Sequence, residues 1–222
     1  MTAAALNLDD AAALDRLGIV NLTPPKPPDD KPRCDQLDHA DARHLTIVQK
    51  RRMIELQRGQ AAAERLDRLP SQNEALHVLM DGSFDGIDLL DAVLALIEPV
   101  IVDRLVIATL SFNERVMRRL LDHIDAGRVG TCTFCCSALF EGKERHLVDK
   151  LRGELERRGG TFTIERNHTK LMLFATSDGR HLVVEGSQNL RTCRCYEQFV
   201  VSQDATLFDF YVDFIERTQT DG

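Results

Sequence analysis

The chain has 222 residues, 43% hydrophobic and 28% charged, the composition of a globular protein with room for one sizeable core. A formal charge of −7 and a pI near 5.5 argue against a general polyanion binder, although a local patch escapes such a whole-chain average. There is no run of about 18 apolar residues, so no membrane-spanning helix is expected. The opening MTAAALNLDDAAALDRL has early acids and no basic region, so no secretory leader is expected and the chain reads as cytoplasmic. In that compartment six cysteines read as reduced thiols, not a disulfide framework.

Residues 1–41 read as a flexible acidic, proline-rich extension. Five of the seven prolines fall between Pro24 and Pro32, which favours an extended linker. Residues 42–70 read as a basic helical segment. Arg43, Lys50, Arg51, Arg52, Arg58, Arg65 and Arg68 outnumber Glu55, Glu64 and Asp67, and Pro70 closes it. Such a helix suits contact with phosphate or a partner; the plainer alternative is a solvated face.

From residue 71 to 222 strands and helices alternate. The run 76–80 (LHVLM) reads as a buried strand, and Ile87, Leu89, Leu90, Val93, Leu94 and Ile97 mark a helix face that stops near Pro99. A strand at 104–110, a helix around Val116 to Ile124, a strand at 131–136 and a helix from Lys143 to Arg158 follow. TFTIE (161–165) is the next strand. HTKLMLFAT and HLVVEG then form a hairpin about Asp178-Gly179. YEQFVVS (196–202) and a helix through Leu207, Phe208, Tyr211, Phe214 and Ile215 complete an α/β arrangement with a mixed sheet.

Within the hairpin, His168 and Lys170 are two residues apart, so on a strand they share a face with Met172 and Phe174. An imidazole beside an ammonium suits phosphate chemistry: the ring can attack phosphorus while the cation neutralises the non-bridging oxygens. After the return strand, Gly186 allows close backbone approach, and Ser187 and Asn189 can donate hydrogen bonds to the same oxygens.

HTK, a hairpin, then GSQN resembles the HxK…GSxN signature of the phospholipase D superfamily, more loosely from about Ala75 to the C-terminus. The resemblance implies a phospholipase D-like mixed sheet flanked by helices. It also implies metal-independent phosphodiester cleavage through a phosphohistidine, with no cofactor. His168 maps to the nucleophile or acid, Lys170 to the phosphate clamp, and Ser187 and Asn189 to the oxygen-binding pair. Glu197 maps to an acid that orients the histidine; beside these mapped residues, Gly186 and Arg191 are read as substrate-binding. The scheme needs two such motifs and the chain has one, so the resemblance implies a homodimer sharing one site.

Two departures stand out. The family motif continues to an aspartate where this chain has Ala175, five residues from Lys170 and so on the opposite strand face. The stretch from Lys170 to Gly186 is a few residues longer than usual, at the SDGR turn. Cys132, Cys135, Cys136, Cys193 and Cys195 could be assembled into a zinc site. On a strand, however, Cys132 and Cys135 face opposite ways, so buried thiols and no metal are the expectation; Cys193 and Cys195 could line the pocket. The leading functional expectation is a nuclease; a binding module without turnover and a phospholipid hydrolase are the alternatives.

Overall fold

The computed structural model describes residues 19–21, 58–80, 84–191 and 195–220. A mixed sheet of eight strands forms its middle layer. In chain order these are β1 (Ile19–Asn21), β2 (Ala75–Met80), β3 (Val102–Thr109), β4 (Val129–Ser137), β5 (Thr161–Glu165), β6 (Leu171–Thr176), β7 (His181–Gly186) and β8 (Glu197–Gln203). The spatial order is β1-β2-β8-β7-β6-β3-β4-β5. β3, β4 and β5 run parallel, whereas β2, β8, β7, β6 and β3 alternate in direction.

The helices are α1 (58–66), α2 (Gly86–Ile97), α3 (Glu114–Asp125), α4 (Ala138–Glu156) and α5 (Ala205–Thr220). The period-two pattern of the strands sorts side chains onto two faces. Leu105 and Ile107 of β3, Cys132, Phe134 and Cys136 of β4, and Met172 and Phe174 of β6 pack against α1 to α4. Val106, Ala108, Cys135, Leu171, Leu173 and Val183 point the other way, against Phe208, Val212 and Ile215 of α5. The separation of Cys132 from Cys135 follows from this alternation. Burial pushes the Cys132 and Cys136 thiols up to about 12, so they are protonated apolar packing groups.

Local chemistry sets the element ends. Asn113 Oδ1 accepts from Val116 N at 3.0 Å and caps α3, and Gly127, at φ +70°, ends it in the left-handed region that glycine tolerates. Ser137 Oγ accepts from Leu139 N at 3.3 Å, so α4 starts at Ala138, five residues before the expected Lys143. A break at Glu144 (φ −131°, ψ 42°) interrupts α4 near that expected start. Ala175 lies on the α5 face, as its parity requires.

Two findings bear on the N-terminal segments. Ile19–Asn21 pairs in parallel with His77–Leu79, so this piece of the expected extension joins the sheet; the rest of that extension and residues 42–57 of the basic segment lie outside the described residues. Arg58, on α1, ion-pairs with buried Asp88 at 2.7 Å and Asp85 at 3.7 Å. Arg119 binds Asp88 at 2.5 Å and also Asp91, and His123 Nε2 lies 2.8 Å from Asp91. α1 is thus tied to α2 and α3 by charge. Burial opposes the Arg119 cation, but Asp91 and Asp88 outweigh it and raise its pKa.

Candidate active site

The strand ends that carry the expected site residues all lie along one edge of the sheet. β3, β4 and β5 finish there at Thr109, Ser137 and Glu165, and β7 finishes there at Gly186. β6 and β8 begin there, at Leu171 and Glu197. The crevice beyond the carboxyl ends of parallel strands is where open α/β sheets bind ligands.

His168 and Lys170 are not on the strand, contrary to expectation. β6 begins at Leu171, and residues 167–170 form an irregular lead-in. The cause is Asn167, whose Oδ1 accepts from Thr169 N at 2.8 Å and from the Thr169 hydroxyl at 2.6 Å. This local turn takes the backbone group that a ladder would need. The ladder resumes at the Lys170 carbonyl, which accepts from Gly186 N at 3.1 Å.

The two side chains still meet. Lys170 Nζ lies 2.9 Å from His168 Nδ1 and donates to the His168 carbonyl as well. His168 is exposed and Lys170 half-buried, the latter bordering a small pocket with Gly86, Thr109, Gln188, Leu190 and Phe199. Burial pushes the Lys170 ammonium below its ordinary value, and the Glu197 carboxylate works against that fall.

On the GSQN side, the Ser187 hydroxyl donates to Glu197 Oε2 and accepts from Gln198 N at 3.0 Å. Glu197, expected to orient the histidine, holds Ser187 and partly offsets the effect of burial on Lys170. Asn189 Oδ1 accepts from Leu110 N at 3.2 Å and from Thr109 Oγ1 at 3.5 Å. That commits its oxygen to the protein and leaves the NH2 group as the end that can donate. Gly186 has a packing reason to be glycine: a Cβ would sit 2.3 Å from Phe199 Cδ1. Arg191 is exposed just beyond Leu190; Cys195 is exposed too, outside the pocket wall, and Cys193 lies outside the described residues.

No family model and no curated protein matches this chain. Solved structures do. Polyphosphate kinase from Porphyromonas gingivalis superposes with a TM-score of 0.52 at 13% identity, over 72% of this chain and 29% of that one. The fold is phospholipase D-like. Nuc of Salmonella typhimurium, a phospholipase D family member, aligns at 15% identity and a TM-score of 0.48, over 66% of this chain and 94% of that one. Phosphatidylserine synthase of Haemophilus influenzae aligns at 16% identity and a TM-score of 0.42, over 66% of this chain and 38% of that one. At these identities the likeness is one of fold.

Within this phospholipase D-like frame, three polar residues that sequence reasoning passed over complete the site. Gln188, 3% exposed, donates from Nε2 to Phe84 O at 3.3 Å and ties the GSQN loop to the approach to α2. Thr109 bonds Asn189, and Asn167 shapes the histidine segment. Asn167 and Gln188 adjoin or lie inside the motif, which was the available signal. Thr109 is 80 residues from its partner Asn189, and no local pattern marks it.

Proposed function

We propose that this chain is a phosphodiesterase that uses His168 as its reacting group without a metal, and that its substrate is nucleic acid. The observation that carries this is the Lys170 ammonium set against the His168 imidazole, on the same sheet edge as Ser187, Asn189 and Glu197. In the first step an Nε2 lone pair attacks phosphorus and the P–O bond to the leaving group breaks. The partner's His168 supplies the proton to the departing oxygen. Water then attacks the phosphohistidine, the P–N bond breaks, and a proton returns to the second imidazole. Lys170 and the Asn189 NH2 neutralise charge on the non-bridging oxygens.

The Lys170 contact bears on which step a ring performs. With the ammonium donating to Nδ1, a neutral ring carries its proton on Nε2 and has no lone pair there for attack, whereas the ring that protonates the leaving oxygen must be an imidazolium. When a phosphate oxygen draws Lys170 away, the proton can sit on Nδ1 and Nε2 is open for attack. Nucleic acid is favoured because Arg166 and Arg191 are exposed, each two residues from a motif residue.

The test is cleavage of a generic phosphodiester, single-stranded DNA, duplex DNA and phosphatidylcholine with EDTA present, by wild type and His168→Ala. EDTA-resistant DNA cleavage that disappears in the variant is the expected result. Preferred cleavage of phosphatidylcholine would move the substrate to lipid. No cleavage of anything by folded protein would favour a binding module. Sedimentation should give a dimer mass, and a strict monomer at assay concentration contradicts the shared site.

A further inference from the structure

We infer that Asn167 is a positioning residue that registers the His168 segment against the same end of β3 to which Asn189 is tied. The inference rests on the reading of His168 as the reacting group. Because residues 167–169 lie outside the β6 ladder, which resumes at the Lys170 carbonyl, strand pairing does not fix where the imidazole sits. The Asn167 amide supplies the missing constraint from both of its ends. Its Oδ1 takes the Thr169 N–H and hydroxyl, which bends the chain at the histidine. Its Nδ2 reaches the carbonyl of Thr109 at 3.4 Å and that of Cys135 at 3.5 Å, bridging the ends of β3 and β4.

Asn189 meets the chain just past the end of β3, where its Oδ1 accepts from Leu110 N at 3.2 Å, and the Thr109 hydroxyl, which also faces Ser111 O at 3.2 Å, lies 3.5 Å from it. Two asparagines, one just before HTK and one within GSQN, thus dock on consecutive residues at one strand end. Thr109 is 1% exposed and built into the sheet, so it is a fixed reference for both. The imidazole and the Asn189 amide are aligned through this shared anchor. Few side chains could replace Asn167. The site needs a donor and an acceptor on one short planar group, and only asparagine provides both at that reach. Aspartate keeps the Thr169 arm but faces two carbonyl oxygens with an anionic one; alanine loses both arms.

The experiment compares wild type, Asn167→Asp and Asn167→Ala by long-range 15N–1H NMR of the His168 ring, assigned with His168→Ala. Thermal melts and DNA cleavage accompany the spectra. In wild type the ring nitrogens should report one dominant tautomer, imposed by the Lys170 contact. Both variants should show averaging between tautomers, with melting close to wild type. Where DNA is cleaved, kcat should fall about 10- to 100-fold with KM within about twofold, as misplacement of a reacting group predicts. Wild-type ring spectra in both variants, or loss of the fold in both, would overturn the positioning role. A wild type inactive on every substrate sinks the phosphodiesterase alone; the ring spectra then still decide what Asn167 does.

Discussion

Lys170 is caught between two opposing influences, and the balance is open to test. Its burial lowers the ammonium pKa while Glu197 raises it. Glu197→Gln removes the raising charge, so the pKa should fall further and the ammonium should be lost at lower pH. The alkaline limb of the kcat/KM profile should move to lower pH, and an unmoved limb would detach Glu197 from Lys170. Lys170→Met should cost about 10²- to 10³-fold in kcat, the usual loss for one donor to developing charge, as single-turnover rates would show. The cysteines give a separate check. Cys132, Cys135 and Cys136 are buried and Cys195 exposed, so brief alkylation followed by peptide mapping should mark Cys195 and spare the other three until urea is added. At this scale the sequence revealed what is contiguous. HTK and GSQN announce themselves by spacing, whereas the partner of Ser187 and the anchor of Asn167 depend on strand ends brought together by folding.

Gly186 shows how elements constrain the site from below. The ring of Phe199 on β8 fills the volume beside it, and that ring is 2% exposed in the core. Gly186→Ala should therefore destabilise the protein by about 1–3 kcal/mol, the usual cost of overpacking. Urea denaturation would measure it, and a second change, Phe199→Leu, should recover part of the loss by making room. Most elements were legible because their periodicity is strong: β5 falls on TFTIE as read, and α2 on the apolar face from Ile87 to Ile97. The misses have side-chain causes that periodicity does not see. Ser137 caps α4 early, ahead of a glycine that looks like a breaker, and Asn167 delays β6 by turning the chain back on Thr169. Arg58 had the composition of a phosphate contact and is instead the partner of Asp88.

Taken whole, the molecule relies on a buried ionic cluster beside an apolar core. Arg119 is 4% exposed and holds Asp88 and Asp91, and Arg58 ties α1 to Asp88 and Asp85. Arg119→Ala should destabilise by about 3 kcal/mol, the low end for breaking a buried pair, because Asp88 and Asp91 lose Arg119 and keep only Arg58 and His123 beside them. That is a large share of the roughly 5–15 kcal/mol that holds a domain folded. The loss should appear as a lower chemical-denaturation midpoint with an unchanged slope. The cluster reaches the site through α2, whose first residue, Gly86, packs so closely on the loop that a Cβ there would lie 2.9 Å from Asn189 O. The candidate site residues keep to one edge of the sheet, while the Thr176–Arg180 turn closes the β6–β7 hairpin at the other. Six strand residues separate the two, roughly 20 Å at the rise of an extended chain. The molecule therefore has a working end and a handling end. Tethered to a bead or an electrode through that distal turn, it would present its crevice outward, oriented by its own architecture.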